Sequence, residues 1–351
     1  MNKIERITTA LRGGVPDMVP YIYNTVDRSV QERILGRAID LPLLDGLNVT
    51  GWLGGFDEKP EVVPALTIAP EVAGLLGMDA IQIQLLPPLF VKKVIVGGDA
   101  CISGGLIDSA DALRSIKMPD PDDETLLRQV EDMINRYKGD FALGARVRLG
   151  AAPAILSLGM ENLSYFIYDG EEDIVHETIA LYTSWSKRFN KNLSELDFDF
   201  FWAFDDIAYN TGPMFSPAIF KKFFKEPLKD AASSINKPWI FHSDGNYKLF
   251  LDDIVDIGAS AIHPIERESM DHLWLKANYG DKLCLVGNID INYTLSSGSP
   301  EEVEAEVKAR IDELSPGGAY IIADSNSVPA FCKAENIIAM SKAVQKYRRA
   351  Y

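Results

Sequence analysis

The 351-residue chain has only three cysteines, Cys101, Cys284 and Cys332, far apart and with no Cys-x-x-Cys pair. Their scarcity excludes a disulfide framework or a locally written cysteine zinc site, and it predicts a reducing, cytoplasmic setting. Long apolar runs are missing too. No stretch approaches the roughly 18 residues of a membrane-spanning helix, and the opening MNKIERITTALRGG lacks the continuous apolar core of a signal peptide. Its Ile4, Ile7 and Leu11 instead recur at helical spacing and predict a short surface helix. Basic charge is scarce: 35 Lys+Arg face 51 Asp+Glu, a formal net charge of −16. Such a balance argues against nucleic acid or an anionic membrane as partner and favours a small molecule or another protein. Neither Gly-x-Gly-x-x-Gly nor Gly-x-x-x-x-Gly-Lys-Ser/Thr follows a candidate strand, so dinucleotide and P-loop readings lose their main support.

What the chain does contain is an alternation of short β-rich runs and amphipathic helical patterns. Eight windows read as strands: 18–25, 79–85, 141–150, 197–206, 237–245, 258–266, 281–290 and 318–326. The clearest helix between them is SPEEVEAEVKARIDEL, with Ser299 as N-cap, Pro300 in the first turn and Gly317 near the stop. Strands separated by helices make right-handed crossovers and a parallel sheet, and eight of them favour a closed (β/α)8 TIM barrel over an open doubly wound sheet. The prediction is one barrel domain over 1–351 with an N-terminal helical extension. The long gap after the first strand, which holds GWLGGFDEKPEVVP, predicts a lid-like insertion over the barrel mouth.

In such a barrel chemistry sits where strands end. The polar residues there are Asp205, Asp206 and Tyr209, then His242, Asp244 and Asn246, His263 and Glu266, Asn288 and Asp290, and Asp324 and Asn326. A carboxylate after a strand often caps the next helix, the plain alternative for Asp205 and Asp290. His263, between Ile262 and Pro264, reads as a packed, hydrogen-bonded histidine. His242 and Asp244 differ, because a spacing of two on a strand points both side chains to one face. An adjacent strand that ends in Asp205-Asp206 brings a carboxylate close, so that one imidazole and two oxygens make a ligand set for a catalytic zinc with an open position. The metal-free alternative is a His/Asp general base whose carboxylate orients the imidazole.

The segments FDDIAYNTGPMFSPAIFKKFF, WIFHSDGN, GASAIHPIE, YGDKLCLVGNIDINYTLSSGSPEEV and PAFCKAENIIAM, with the opening RITTALRGGVPDMVPYI, resemble the uroporphyrinogen decarboxylase superfamily along nearly the whole chain. The resemblance implies a (β/α)8 barrel and one of two activities: decarboxylation of tetrapyrroles, or methyl transfer with zinc and a corrinoid. Decarboxylases of the family carry an Arg-rich run after the first strand, where this chain has TVDRSVQERI, and a catalytic aspartate after the second, where it offers Gln82 and Gln84. A glutamine cannot hold pyrrole N–H groups and stabilise a cation as a carboxylate does. Methyltransferases acting on coenzyme M carry His-x-Cys after the fifth strand and a second cysteine after the eighth; His242 and Asp244 stand in the first motif and Asn326 roughly at the second. The related O-demethylase pattern Glu-x14-Glu-x20-His, anchored on His242, keeps Asp206 and replaces its other glutamate by Lys221.

The resemblance therefore implies a methyltransferase between a small O-, N- or S-methylated compound and a corrinoid, with His242, Asp206 and Asp244 as catalytic and zinc-binding residues. Asn24, Gln84, Asp205, Tyr209, Asn288, Asp324 and Asn326 are expected to line the substrate pocket. A decarboxylase and a non-catalytic binding barrel are the alternatives. Corrinoid domains with a displaced lower base use Asp-x-His-x-x-Gly. Ile174, Ile240, Ala261 and Met270 stand where that aspartate belongs before the four histidines, so the corrinoid is expected on a separate protein.

Overall fold

In the computed structural model, which describes residues 1–44, 52–96 and 99–349, the sheet order follows the chain. Eight strands form one curled sheet in the sequence Ala65–Leu66, Ala80–Gln84, Ala142–Val147, Phe200–Phe204, Trp239–His242, Ala261–His263, Cys284–Val286 and Tyr320–Ile321. All neighbours run parallel except Ala65–Leu66, which pairs antiparallel with Ile83 and Gln84. The fold is α/β and TIM-barrel-like, with helices such as Glu172–Glu195 and Pro300–Leu314 outside the sheet. Ser299 caps the latter in a capping box with Glu302.

The expected strand at 18–25 is corrected. It contributes an isolated parallel bridge, Tyr21 to Ile322, rather than a ladder. Its backbone nevertheless lies between the last strand and Ala80–Gln84, because Ile322 N–H donates to Pro20 and Asp79 N–H donates to Tyr21. Further along, the Gln82 side-chain amide donates to the carbonyls of Tyr23 (3.0 Å) and Asn24 (3.2 Å), taking the place of ladder bonds. A buried carbonyl must find a donor, and a side chain serves as well as a strand.

Period-2 alternation divides the apolar residues into two cores. Phe201, Ala203, Phe241, Ile262 and Leu285 face the helices, whereas Phe200, Trp202, Phe204, Ile240, Ala261, Cys284, Val286 and Ile321 fill the interior. Gly144 makes room for this filling, since a Cβ there would stand 2.4 Å from the Phe200 ring. The helix Lys3–Leu11 corrects a second expectation. It is not a surface helix: Ile7, Ala10 and Leu11 are buried in the interior cluster with Ala80, Ala142 and Ala319, at the amino-terminal end of the strands. Below them Asp79 pairs with Arg6 at 2.6 Å and with Arg348, and accepts the Tyr21 N–H at 2.8 Å.

Residues 52–64 of the expected insertion are described, and Gly51 lies outside the described residues. Leu53–Gly54 pairs parallel with Leu89–Phe90 in a three-stranded side sheet with Asp99–Gly105. Trp52 and Phe56 pack on the Phe90 ring, with centroids 5.7 and 6.0 Å away. No helix among the described residues is long and apolar enough to cross a membrane.

Candidate metal centre

The strand Phe200–Phe204 points Phe200, Trp202 and Phe204 inward, so of the two aspartates that follow, alternation turns Asp206 to the mouth and Asp205 away from it. Asp205 is fully buried, and its oxygens accept the N–H groups of Leu149 (2.5 Å), Gly150 (3.2 Å) and Ala152 (2.9 Å) at the start of the helix Ala151–Leu158. Those bonds make it a helix cap. Asp290 accepts the N–H groups of Asn292, Tyr293 and Thr294, closing a turn rather than capping a helix.

Asp206, His242 and Asp244 converge. One ligand atom from each lies within 4.8 Å of the others. His242 Nε2 is 3.2 Å from Asp244 Oδ1 and 3.8 Å from Asp206 Oδ1, and the Asp244 N–H donates to Asp206 Oδ1 at 2.9 Å. The imidazole is buried, while both carboxylates keep about two-fifths of their side-chain surface open, at 40% and 42%. Burial and the neighbouring Asp244 charge push the Asp206 carboxyl up. Burial also works to raise Asp244, but the hydrogen bond from His242, the His242 and Arg146 charges and the Asn326 amide outweigh it and hold Asp244 below the usual carboxylate range. The pair is thus unequal: Asp244 carries the firmer negative charge.

The other expected pocket residues fall into three groups. Tyr209, on a small hairpin with Gly212–Pro213, lines an open groove of about 510 Å³ together with Asp206, Asp244 and Met214. Asn326 donates to Asp244 Oδ1 at 2.9 Å and approaches Glu266 at 3.5 Å, and Glu266 in turn accepts the Gly245 N–H at 2.8 Å. Asn24, Asn288 and Asp324 are buried beneath: the Asn24 N–H donates to Asp324 at 2.9 Å, and the Asn288 amide donates to Ile265. Gln84 lies apart and lines a cavity of about 420 Å³ with Leu43, Trp52, Leu53 and Ala65.

Sequence reasoning overlooked Arg146. It is buried, lies 3.9 Å from the centre of the Phe204 ring and donates to Thr25 Oγ1. Burial, aided by Arg148, pushes it down to about 9 against the pull of Asp206, Asp324 and Asp244. The signal was available, because Gly144 and Arg146 share a face of their strand.

Burial raises Asp324 from 3.8 to about 8. The folded state therefore holds a proton that the unfolded chain has released, and stability falls as pH rises through that window. Asp324→Asn keeps an acceptor for the Asn24 N–H and removes the titration. Relative to the parent, the variant is expected to gain up to about 1.4 kcal/mol per pH unit between roughly pH 4 and 8. Urea unfolding at pH 5 and pH 8 checks this; parallel pH dependences in the two proteins would refute it.

Comparison with known proteins locates this architecture. Over 134 residues the chain is 28% identical to the methylcobamide:CoM methyltransferase MtaA of Methanosarcina barkeri, and 27% identical to MtaA of the Fusaro strain. The matched stretch spans 38% of this chain and 38% of each relative. A solved structure described as a methyltransferase from Methanosarcina mazei shares the fold, with a TM-score of 0.70 at 19% identity over 99% of both chains. The family model of uroporphyrinogen decarboxylase (URO-D) matches residues 105–347, and the chain belongs to the URO-D family.

Proposed function

We propose that the chain is a methyltransferase that moves a methyl group between a small O-, N- or S-methylated compound and a corrinoid held by a separate protein in the cytoplasm. The observation that carries this reading is the convergence of Asp206, His242 and Asp244 at the open end of a URO-D fold whose sequence is similar to MtaA over 134 residues. One nitrogen and two carboxylate donors suit zinc with a position left over for substrate. Zinc held there would supply Lewis acidity to the heteroatom that bears or receives the methyl group. Asn326 and Glu266 fix Asp244 and the Gly245 backbone, and Tyr209 borders the groove through which a ligand reaches the carboxylates. The side sheet around Trp52 and Phe90 would serve as the lid, with Gln84 beneath it.

Decarboxylation is less well supported. At the position the resemblance gives to a catalytic aspartate, the Gln82 amide is committed to two backbone carbonyls. The deciding experiment mixes the zinc-loaded chain with a cob(I)alamin carrier protein and a panel of methyl donors, and follows the absorption change to methylcobalamin. Turnover with one donor is expected only when the carrier is present. Stoichiometric cobalamin binding by this chain alone, or no conversion with any O-, N- or S-methyl donor, would overturn the reading.

A further inference from the structure

His263 lies beside His242, its register partner on the next strand, and the two Nδ1 atoms are 2.8 Å apart. His263 Nε2 lies 3.3 Å from the Asp324 backbone carbonyl oxygen. A carbonyl oxygen only accepts, so that contact is a hydrogen bond only if His263 Nε2 carries the proton. Two Nδ1 atoms 2.8 Å apart share one proton, and the fully buried His263, whose ring bonds to the carbonyl through Nε2, takes the accepting side. Its Nδ1 then has a lone pair, and the proton between the rings belongs to His242 Nδ1. His242 is left with Nε2 facing Asp206 and Asp244. Trp202 packs edge-on against the His263 ring with centroids 4.7 Å apart, and the Phe204 ring lies 4.3 Å from His242, so an aromatic ring flanks each imidazole.

We infer that His263 is a positioning residue: with the Asp324 carbonyl it fixes the His242 tautomer so that Nε2 alone faces the two carboxylates and is available to a metal. This rests on the metal reading of the site given above. Nε2 lies 3.2 Å from Asp244 Oδ1, and a metal held there would take its lone pair while Nδ1–H stays toward His263. An outer partner of this kind holds ring orientation and raises the ligand's basicity.

Long-range proton–nitrogen spectra of histidine-labelled full-length protein, without metal and with zinc, read the tautomers directly. Expected in both are a protonated Nδ1 on His242 and the Nε2–H form of His263. In a chelator competition His263→Leu is expected to weaken zinc binding by about 10–100-fold. His263→Asn, whose Oδ1 can accept where Nδ1 did, is expected to restore most of the affinity. A merely structural role would not separate these variants at equal thermal stability. A bare Nδ1 on His242, or unchanged zinc affinity in His263→Leu, would overturn the relay. Failure of the wild-type chain to bind zinc would instead overturn the metal reading, and the metal-free spectrum would still decide the relay.

Discussion

His242→Ala is expected to strip zinc from the protein, with a loss well beyond the roughly 10–100-fold that an outer partner costs. It removes the single nitrogen donor of the cluster and leaves Asp206 and Asp244, whose carboxylates share one small space and whose charges then repel. Two carboxylates without the imidazole favour a hard cation over zinc. Metal analysis after dialysis, read beside the melting temperature, checks this: about one zinc per wild-type chain, close to none in the variant, and a melting temperature that shows the barrel intact. Methyl transfer should fall in step with the metal. Asp244→Asn offers a graded comparison, since it keeps an oxygen near His242 and loses the charge. Full occupancy in His242→Ala would remove that residue from the ligand set, and with it the argument from the spacing of two.

The second large effect lies at the other end of the strands. Asp79→Ala is expected to destabilise the fold by about 3–5 kcal/mol, the usual cost of removing one partner from a buried ion pair. Asp79 has 1% of its side chain exposed and binds Arg6, Arg348 and the Tyr21 N–H at once. Arg6 retains Asp17 at 2.8 Å, but among the described residues Arg348 keeps only carbonyl and amide oxygens, those of Val19, Gly77 and Gln345. The loss should therefore concentrate on Arg348. Urea midpoints measure it, and pairing Asp79→Leu with Arg348→Met should recover much of it because neither charge then remains buried alone. A drop below about 1 kcal/mol for the single variant would show that the cluster is as weakly coupled as a surface ion pair.

The strand windows from 79 onward were legible because each combines β-rich composition with a polar end, and each contains a strand of the sheet. They read longer than the strands because their last residues, the ones that carry chemistry, belong to the connections. The window at 18–25 looked the same but pairs through one isolated bridge and the Gln82 amide, a tertiary substitution that local pattern does not encode. The first helix was placed correctly and its environment misjudged: periodicity shows that Ile7 and Leu11 share a face, but not what covers it. At the site, the spacing of His242 and Asp244 sufficed to pair them. Choosing Asp206 over Asp205 needed only the inward register of Phe200, Trp202 and Phe204. His263 was legible as a packed histidine, but its role depends on a neighbour 21 residues earlier and a carbonyl 61 residues later.

The plug formed by Ile7, Ala10 and Leu11, locked below by Asp79, closes the amino-terminal end of the strands among the described residues. A vessel closed at one end imposes an order on its traffic. On the proposed methyl-transfer reading, the small molecule and its carrier would share the rim that carries Asp206, Tyr209 and Asp244. That reading predicts an ordered sequence, in which the small molecule binds before the carrier seats above it and leaves after the carrier has lifted away.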